Sequence, residues 1–407
     1  MFVGTRIDSG ATRPESLLLF FLSALGFGAF ATGVHIIMVP WLALEHLQLG
    51  ASTFGLIQAL LLFPNLAFLL LGGVVADRRN AAKWLMASSA GLALLHSVVL
   101  CLTLLHLLSS WSLMGYALLV GGLVAMAQPL RESMVPTFAV SSVQRAILQV
   151  SFVQYCAQSV GVLLAGVSTT AGLVWILGVQ IMALSISGWC YSRLSHRTIP
   201  TRANEASVAE AIRHGVREVW GHSTLRQLVL LVGFNGFVNL GAYVVLIPLL
   251  ITQVYGLSAA YYGWVQLAFV VGNIMMSGLM LSVRIRWPSG RIVLICLAVS
   301  GGILGCLGLK LPQWTLVPLV FSWGCAVAVS SSMGRVLLQS QVEKAVRGRV
   351  VSLYQLALFG TAPLGAVSAG FLAEILSINT ILLGAGVMTM ALFVIFGLRS
   401  ALWSCVD

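Results

Sequence analysis

Long apolar runs broken by short polar connectors dominate the chain. They recur at 17–41, 53–76, 84–107, 111–130, 147–168 and 171–191, and again at 227–252, 260–283, 291–309, 314–334, 351–373 and 378–398. Each is close to the roughly 20 helical residues that cross a bilayer. A polar stretch from Arg193 to Arg226 separates the two sets. Its second part carries Val208, Ile212, Val216 and Val219 on one face, the spacing of an amphipathic helix. The pattern predicts about twelve transmembrane helices: a six-helix bundle over residues 1–192, a cytoplasmic linker over 193–225 and a second bundle over 226–407.

Composition narrows the class. Hydrophobic residues make up 59% of the chain and charged residues 8%, against about 25% charged in soluble domains. So few charges cannot solvate a globular surface, and the mean hydropathy of +1.00 agrees. The chain is an integral membrane protein embedded in a lipid bilayer. Its net charge of +11 does not point to nucleic acid, because the basic residues form no patch interleaved with aromatics. The seven cysteines show no CxxC spacing, so no disulfide framework or metal site is expected. The first apolar run lacks a small-residue cleavage site and is expected to stay in the protein.

The basic residues set the orientation. With the N-terminus in the cytoplasm, every Lys and Arg but Lys310 falls in a connector or terminus on the inner side, as the positive-inside rule requires. That places both termini in the cytoplasm. The asymmetry would collapse if one helix were missed, so it supports the helix count too.

The halves repeat each other. Shifting by 208 residues aligns Gly28 with Gly236, Gly33 with Gly241, Pro40 with Pro248, Gly55 with Gly263, Gln58 with Gln266 and Asn65 with Asn273. Shifting by 204 aligns Arg131 with Arg335, Arg145 with Arg349, Gly161 with Gly365, Ala165 with Ala369 and Gly166 with Gly370. A lipid-facing helix needs none of these residue types. Two parallel six-helix repeats make a transporter architecture in which substrate binds between the halves.

Six-plus-six helices, an amphipathic middle stretch and Gly73-x-x-x-Asp77-Arg78 with Lys83 after the second run resemble the major facilitator superfamily. The resemblance covers the whole chain. Val346-Arg347-Gly348-Arg349 through Tyr354, Phe359-Gly360-Thr361-Ala362-Pro363-Leu364-Gly365 and Ala369-Gly370 are similar to drug and siderophore exporters related to the enterobactin exporter. So is Gln128-Pro129-Leu130-Arg131 through Val135-Pro136. The resemblance implies an all-α membrane fold of two pseudo-symmetric bundles and proton-driven export across a bacterial inner membrane. Two positions depart from it. Ser159-Val160-Gly161 stands where those exporters place Gly-Pro, and the fourth run has no internal arginine.

The resemblance also implies a cytoplasmic gate. Gly73, Asp77, Arg78 and Lys83 would close against the start of the eleventh helix near Val350–Ser352, with Arg347 and Arg349 beside it. A carboxylate there would meet unpaired backbone N–H groups and the positive end of a helix dipole. The 208-residue shift sets Asp77 on Ile285 and Arg78 on Arg286, so the second half keeps the cation and lacks the acid. A one-sided lock explains that difference; two plain anchoring loops do not.

Polar residues inside apolar runs are costly in lipid and face a cavity or a partner helix. Gln58 and Asn65 are seven apart on one helix face, as are Gln266 and Asn273; Asn235, Asn239 and Tyr243 are four apart, as are Gln154 and Gln158. Each set either lines a cavity or bonds helices together. His35 lies deep in the first run and Gln355 in the eleventh, while Arg131 and Arg335 occupy equivalent inner helix ends, where they could meet an anionic substrate or simply anchor. No acid lies at mid-membrane depth, so a proton carrier would be His35, Glu132 or Asp77, or else Glu45 and Glu374 lie deeper than their positions imply. Phe63, Phe68, Trp175 and Trp323 read as lipid-facing or packing residues.

These features together predict a monomeric secondary transporter working by alternating access, exporting an amphipathic small molecule such as a siderophore or drug. No P-loop motif is present, so ATP is not its direct drive, and a proton gradient is expected to serve instead of a cofactor. Uptake of a small solute on the same fold is the alternative. A membrane enzyme would need converging catalytic groups, which the sequence lacks, and a receptor or scaffold would not need the duplicated Gln and Asn pairs.

Overall fold

A computed structural model describes residues 14–78, 80–135, 143–167, 172–195, 216–217, 219–282, 287–342, 347–399 and 403. Among these, long helices account for nearly all of the chain. They are α1 (Pro14–Pro40, extended by a wide turn over Trp41–His46), α2 (Ala51–Arg78), α3 (Ala81–Leu104), α4 (Ser110–Met134), α5 (Val143–Val167) and α6 (Leu173–Leu194). The second set is α7 (Ser223–Val254), α8 (Ala259–Ser282), α9 (Ser289–Gly308), α10 (Leu316–Ser340), α11 (Arg347–Ile375) and α12 (Ile378–Arg399). Ten of the described helices are long and apolar enough to cross a membrane. The amphipathic helix expected within 193–225 falls largely outside the described residues; of its apolar face, Val219 is buried and Val216 exposed.

Local chemistry explains the helix ends. Asn80, inside the charged connector after α2, caps α3 by accepting from the Lys83 N–H at 3.2 Å. Its amide donates to the Ser195 carbonyl at 2.6 Å, tying the start of α3 to the end of α6. Ser109 and Ser112 cap α4 reciprocally, satisfying donors that a helix start leaves open. Gly256, with φ of 62°, makes the left-handed turn between α7 and α8.

Packing repeats as the sequence does. In the first half α1 packs on α5, α2 on α4 and α3 on α6; in the second, α7 packs on α11, α8 on α10 and α9 on α12. Across the halves α2 runs along α11 and α5 along α8. The duplicated glycines sit at these crossings. Gly33 abuts the backbone of Gln158 and Val162, Gly161 abuts that of Phe30 and Val34, and Gly241 and Gly365 meet in the same way. Between the halves, Gly55 faces Gly370 and Gly263 faces Gly166. A side chain at any of these positions would hold two helices apart.

The buried core is asymmetric along the helices. One apolar cluster spans both halves, joining the end of α1 and start of α2 to the ends of α7 and α11. Toward the opposite end the core divides. One cluster there, with Phe21, Leu85 and Leu194, belongs to the first half. Another, with Leu225, Leu337 and Val350, belongs to the second. The shared end carries one further tie, where the Ser52 N–H and hydroxyl donate to Glu374 Oε1 at 3.1 and 2.5 Å. The molecule is closed at this end, and at the other its halves have separate cores among the described residues.

Candidate substrate cavity

Among the described residues, three cavities meet at the centre. A central one of about 310 Å³ lies between the halves, built from α1, α2 and α5 on one side and α7 and α8 on the other. A second, of about 250 Å³, runs into the first half. A third, of about 290 Å³, runs into the second. The central cavity shares His35 and Gln58 with the first-half cavity, and Leu240, Tyr243 and Phe269 with the second-half one. Volumes of this size suit small organic ligands. Among the described residues, no carboxylate lines any of the three.

Most of the polar residues singled out in the sequence converge here. His35, Gln58, Gln158, Tyr243, Gln266 and Asn273 line the central cavity. Asn65 and Arg131 line the first-half cavity, and Asn235 and Asn239 the second-half one. Gln154 on α5 and Gln355 on α11 are half-buried and line none of the three, and Arg335 is exposed although its repeat partner Arg131 is not. Of the expected gate, Lys83 is exposed at the start of α3. Gly73, Asp77 and Arg78 lie on α2 and Arg347 and Arg349 on α11, but their side chains are outside the described residues.

The repeat shapes the cavity walls. The 208-residue offset that relates Gln58 to Gln266 also relates His35 to Tyr243, and all four face the central cavity. On the second-half wall, Tyr243 donates to Gln266 Oε1, and the Gln266 amide donates to the Tyr262 hydroxyl. Tyr243 also stacks on Phe269, with centroids 4.5 Å apart, and meets Trp323 edge-on at 5.5 Å. Trp323 packs in the shared core, as expected of a packing residue, and its ring also forms cavity wall. It is buried and lines the second-half cavity, whereas Trp175 and Phe63 are exposed, as lipid-facing residues are.

Helix α7 departs from regular α geometry over Gly236–Leu240, Ala242–Leu246 and Leu250–Val254, where its turns widen to π geometry. In an ideal helix of 3.6 residues per turn, side chains four apart drift around the axis. Wider turns reduce the drift, so Asn235, Asn239 and Tyr243 all reach one cavity. Such π segments are frequent at functional sites.

The first-half wall holds a group that sequence reasoning missed. The Tyr116 hydroxyl on α4 lies 2.8 Å from His96 Nε2 on α3 and 3.2 Å from His35 Nδ1 on α1. His96 Nδ1 lies 2.7 Å from the Leu92 carbonyl. His35 Nε2 is buried without a hydrogen-bond partner, as are both polar atoms of Asn239. The available signal was that His96, like His35, is a lone imidazole within an apolar run; what joins them is a contact across three helices that spacing does not encode.

Comparison with known proteins supports the reading of the fold. Residues 19–405 match the transmembrane secretion effector family. The chain is 25% identical over 408 aligned positions to the multidrug efflux pump Tap of Mycolicibacterium fortuitum, covering 94% of this chain and 95% of that one. Its fold is similar to the nucleoside transporter NupG, with a TM-score of 0.73 at 15% identity, covering 93% and 98% of the two chains. It is also similar to an auto-inhibited POT family peptide transporter, with a TM-score of 0.71 at 15% identity over 94% and 96%. These relatives are transporters rather than enzymes.

Proposed function

The chain belongs to the transmembrane secretion effector family, within the major facilitator superfamily of membrane transporters, and from that premise we propose that it exports uncharged amphipathic small molecules, of the drug or siderophore kind, in exchange for protons. The observation that carries this is the central cavity. Its walls pair polar side chains from both halves, His35 with Tyr243 and Gln58 with Gln266, on an apolar background without a carboxylate among the described residues. Such walls offer hydrogen bonds and apolar contact and no anion to hold a cation. Similarity to a multidrug efflux pump over nearly the whole chain favours export over uptake.

In this reading the protein is a monomer in a bacterial inner membrane with both termini in the cytoplasm, and its two bundles move about the linker between them. The end closed by Ser52, Glu374 and the Gly55–Gly370 contact is then the outer end, and the cavity loads from the cytoplasm. The gate is proposed at the other end. Gly55 meets Gly370, and farther along Leu66 lies against Gly360, so α2 and α11 run antiparallel. Continued, that course carries the Asp77 end of α2 toward the Arg347 end of α11.

The test is retention of dyes by cells with and without the protein. Nile red, which is uncharged, is expected to accumulate several-fold less in expressing cells, and collapse of the proton gradient is expected to remove the difference. Ethidium, a cation, is expected to be retained equally. Greater Nile red accumulation would mean uptake, and no difference with either dye would favour a scaffold.

A further inference from the structure

The hydrogen-bond order around Tyr116 can be read from one end. A carbonyl oxygen only accepts, so His96 Nδ1 carries a proton and donates it to the Leu92 oxygen at 2.7 Å. In a neutral ring His96 Nε2 is then an acceptor, and it takes the Tyr116 hydroxyl proton at 2.8 Å. The Tyr116 oxygen in turn accepts from His35 Nδ1 at 3.2 Å. This leaves His35 Nε2 as a bare basic nitrogen, buried and without a partner, on a ring that lines both the central and the first-half cavities.

We propose that His35 is the proton-binding residue of the transport cycle, with Tyr116 and His96 as positioning residues that keep Nε2 free to take the proton. This rests on the export reading above and assigns its coupling site. Among the described residues, the groups that the surrounding helices bring to these cavities are His96 from α3, Tyr116 and Arg131 from α4, Tyr155 from α5, Tyr191 from α6, Tyr243 from α7 and Tyr262 from α8, with amides alone from α2. Arginine does not lose its proton in proteins, and an unperturbed tyrosine ionises near pH 10. Among these side-chain types only imidazole has an unperturbed range near neutral pH. Both nitrogens of His96 are engaged, and one of His35 is not. The repeat sets Tyr243 opposite His35, so one half carries the titrating group and the other does not.

The same geometry supplies the exchange. A proton on Nε2 makes an imidazolium whose Nδ1–H still donates to Tyr116. Among the described lining residues there is no carboxylate, so water admitted to Nε2 as the halves move is what stabilises that cation. An uncharged substrate entering from the cytoplasm displaces the water; the Nε2–H bond breaks and the proton leaves to cytoplasmic water. After the substrate departs on the outer side, the refilled cavity returns a proton from the outer solution to Nε2. One proton moves in for each substrate moved out, and each ligand weakens the other's binding by the same factor.

Purified full-length protein in neutral detergent provides the test, with two readouts. First, in acid–base titration from pH 8 to pH 4, wild type is expected to bind one more proton than His35→Gln. Second, Nile red binding by wild type is expected to weaken about tenfold per pH unit on the acid side, as competition with one proton requires, and to release up to one proton per dye. In His35→Gln the remaining dye affinity is expected to change less than twofold across that range. Tyr116→Phe, which removes the acceptor facing Nδ1, is expected to shift the dye-binding profile toward acid by about one pH unit. A purely packing role for Tyr116 would lower affinity equally at every pH. Equal proton uptake by wild type and His35→Gln overturns the proposal, as does proton release that survives in His35→Gln. One extra proton in wild type without any Nile red binding or export leaves His35 as the proton site and overturns the substrate reading instead.

Discussion

Asn239 is buried, yet neither its Oδ1 nor its Nδ2 has a hydrogen-bond partner. A buried amide in that state costs about 1–3 kcal/mol, and it sits on the wall of the second-half cavity. Asn239→Leu should therefore unfold at the same or a higher temperature than wild type while exporting Nile red less well. A large drop in thermal stability with export intact would show that the amide only holds the bundle together. Gln266 is the opposite case, because it bonds to Tyr243 and Tyr262 at once. Gln266→Leu should lower stability by about 1–3 kcal/mol, the cost of leaving buried hydroxyls unpaired. Asp77→Asn keeps the shape of the side chain and removes its charge; it should insert normally, measured by membrane yield, and export several-fold more slowly. Full export by that variant would remove Asp77 from the gate. At this scale the sequence was a good guide to polar residues and a poor one to their partners. Gln58, Asn65, Gln266 and Asn273 stand out because lipid penalises them. His96 and Tyr116 gain meaning only through a contact with His35 that lies 61 and 81 residues away along the chain.

Helix crossings are set by the duplicated glycines. A Cβ on Gly241 would lie 2.9 Å from the Gly365 Cα, and one on Gly263 would lie 2.9 Å from the Gly166 Cα. Neither distance is tolerable, and helix backbone cannot yield as a flexible side chain can. Gly161→Val and Gly365→Val, one in each half, should each destabilise by about 1–3 kcal/mol, the usual cost of overpacking, read as a lower unfolding temperature. Gly178→Ala, where the added atom meets nothing, should change it little. These glycines were legible because the same residue recurs at a fixed offset. The π turns of α7 were not. Pro248 marks its far end, but a widened turn depends on how neighbouring helices hold the backbone, and the apolar pattern of α7 reads as an ordinary span.

Over the whole molecule, the halves close on each other at one end through small residues and one carboxylate. Gly55→Trp should prevent that closure, since a Cβ alone would come within 2.8 Å of the Gly370 Cα. On a background without reactive native cysteines, Asn273→Cys in the central cavity should then react faster with an impermeant maleimide added outside intact cells. Glu374→Ala, which removes the acceptor for two Ser52 donors, should act in the same direction more weakly. An unchanged labelling rate in both would place this end on the cytoplasmic side or remove it from the gate.

The sequence by itself determined that the chain spans a membrane, in about twelve helices and two repeated halves, because the bilayer enforces a length and an apolar composition that periodicity reports directly. It also marked most of the cavity's polar residues, since a polar group in lipid needs a reason to be there. Only the tertiary structure decided which of them meet. It set His35 beside Tyr116 and His96, opened α7 toward the second-half cavity and joined the halves at one end while leaving their cores separate at the other. Those outcomes depend on how distant helices rotate and cross, and local residue order does not carry that information.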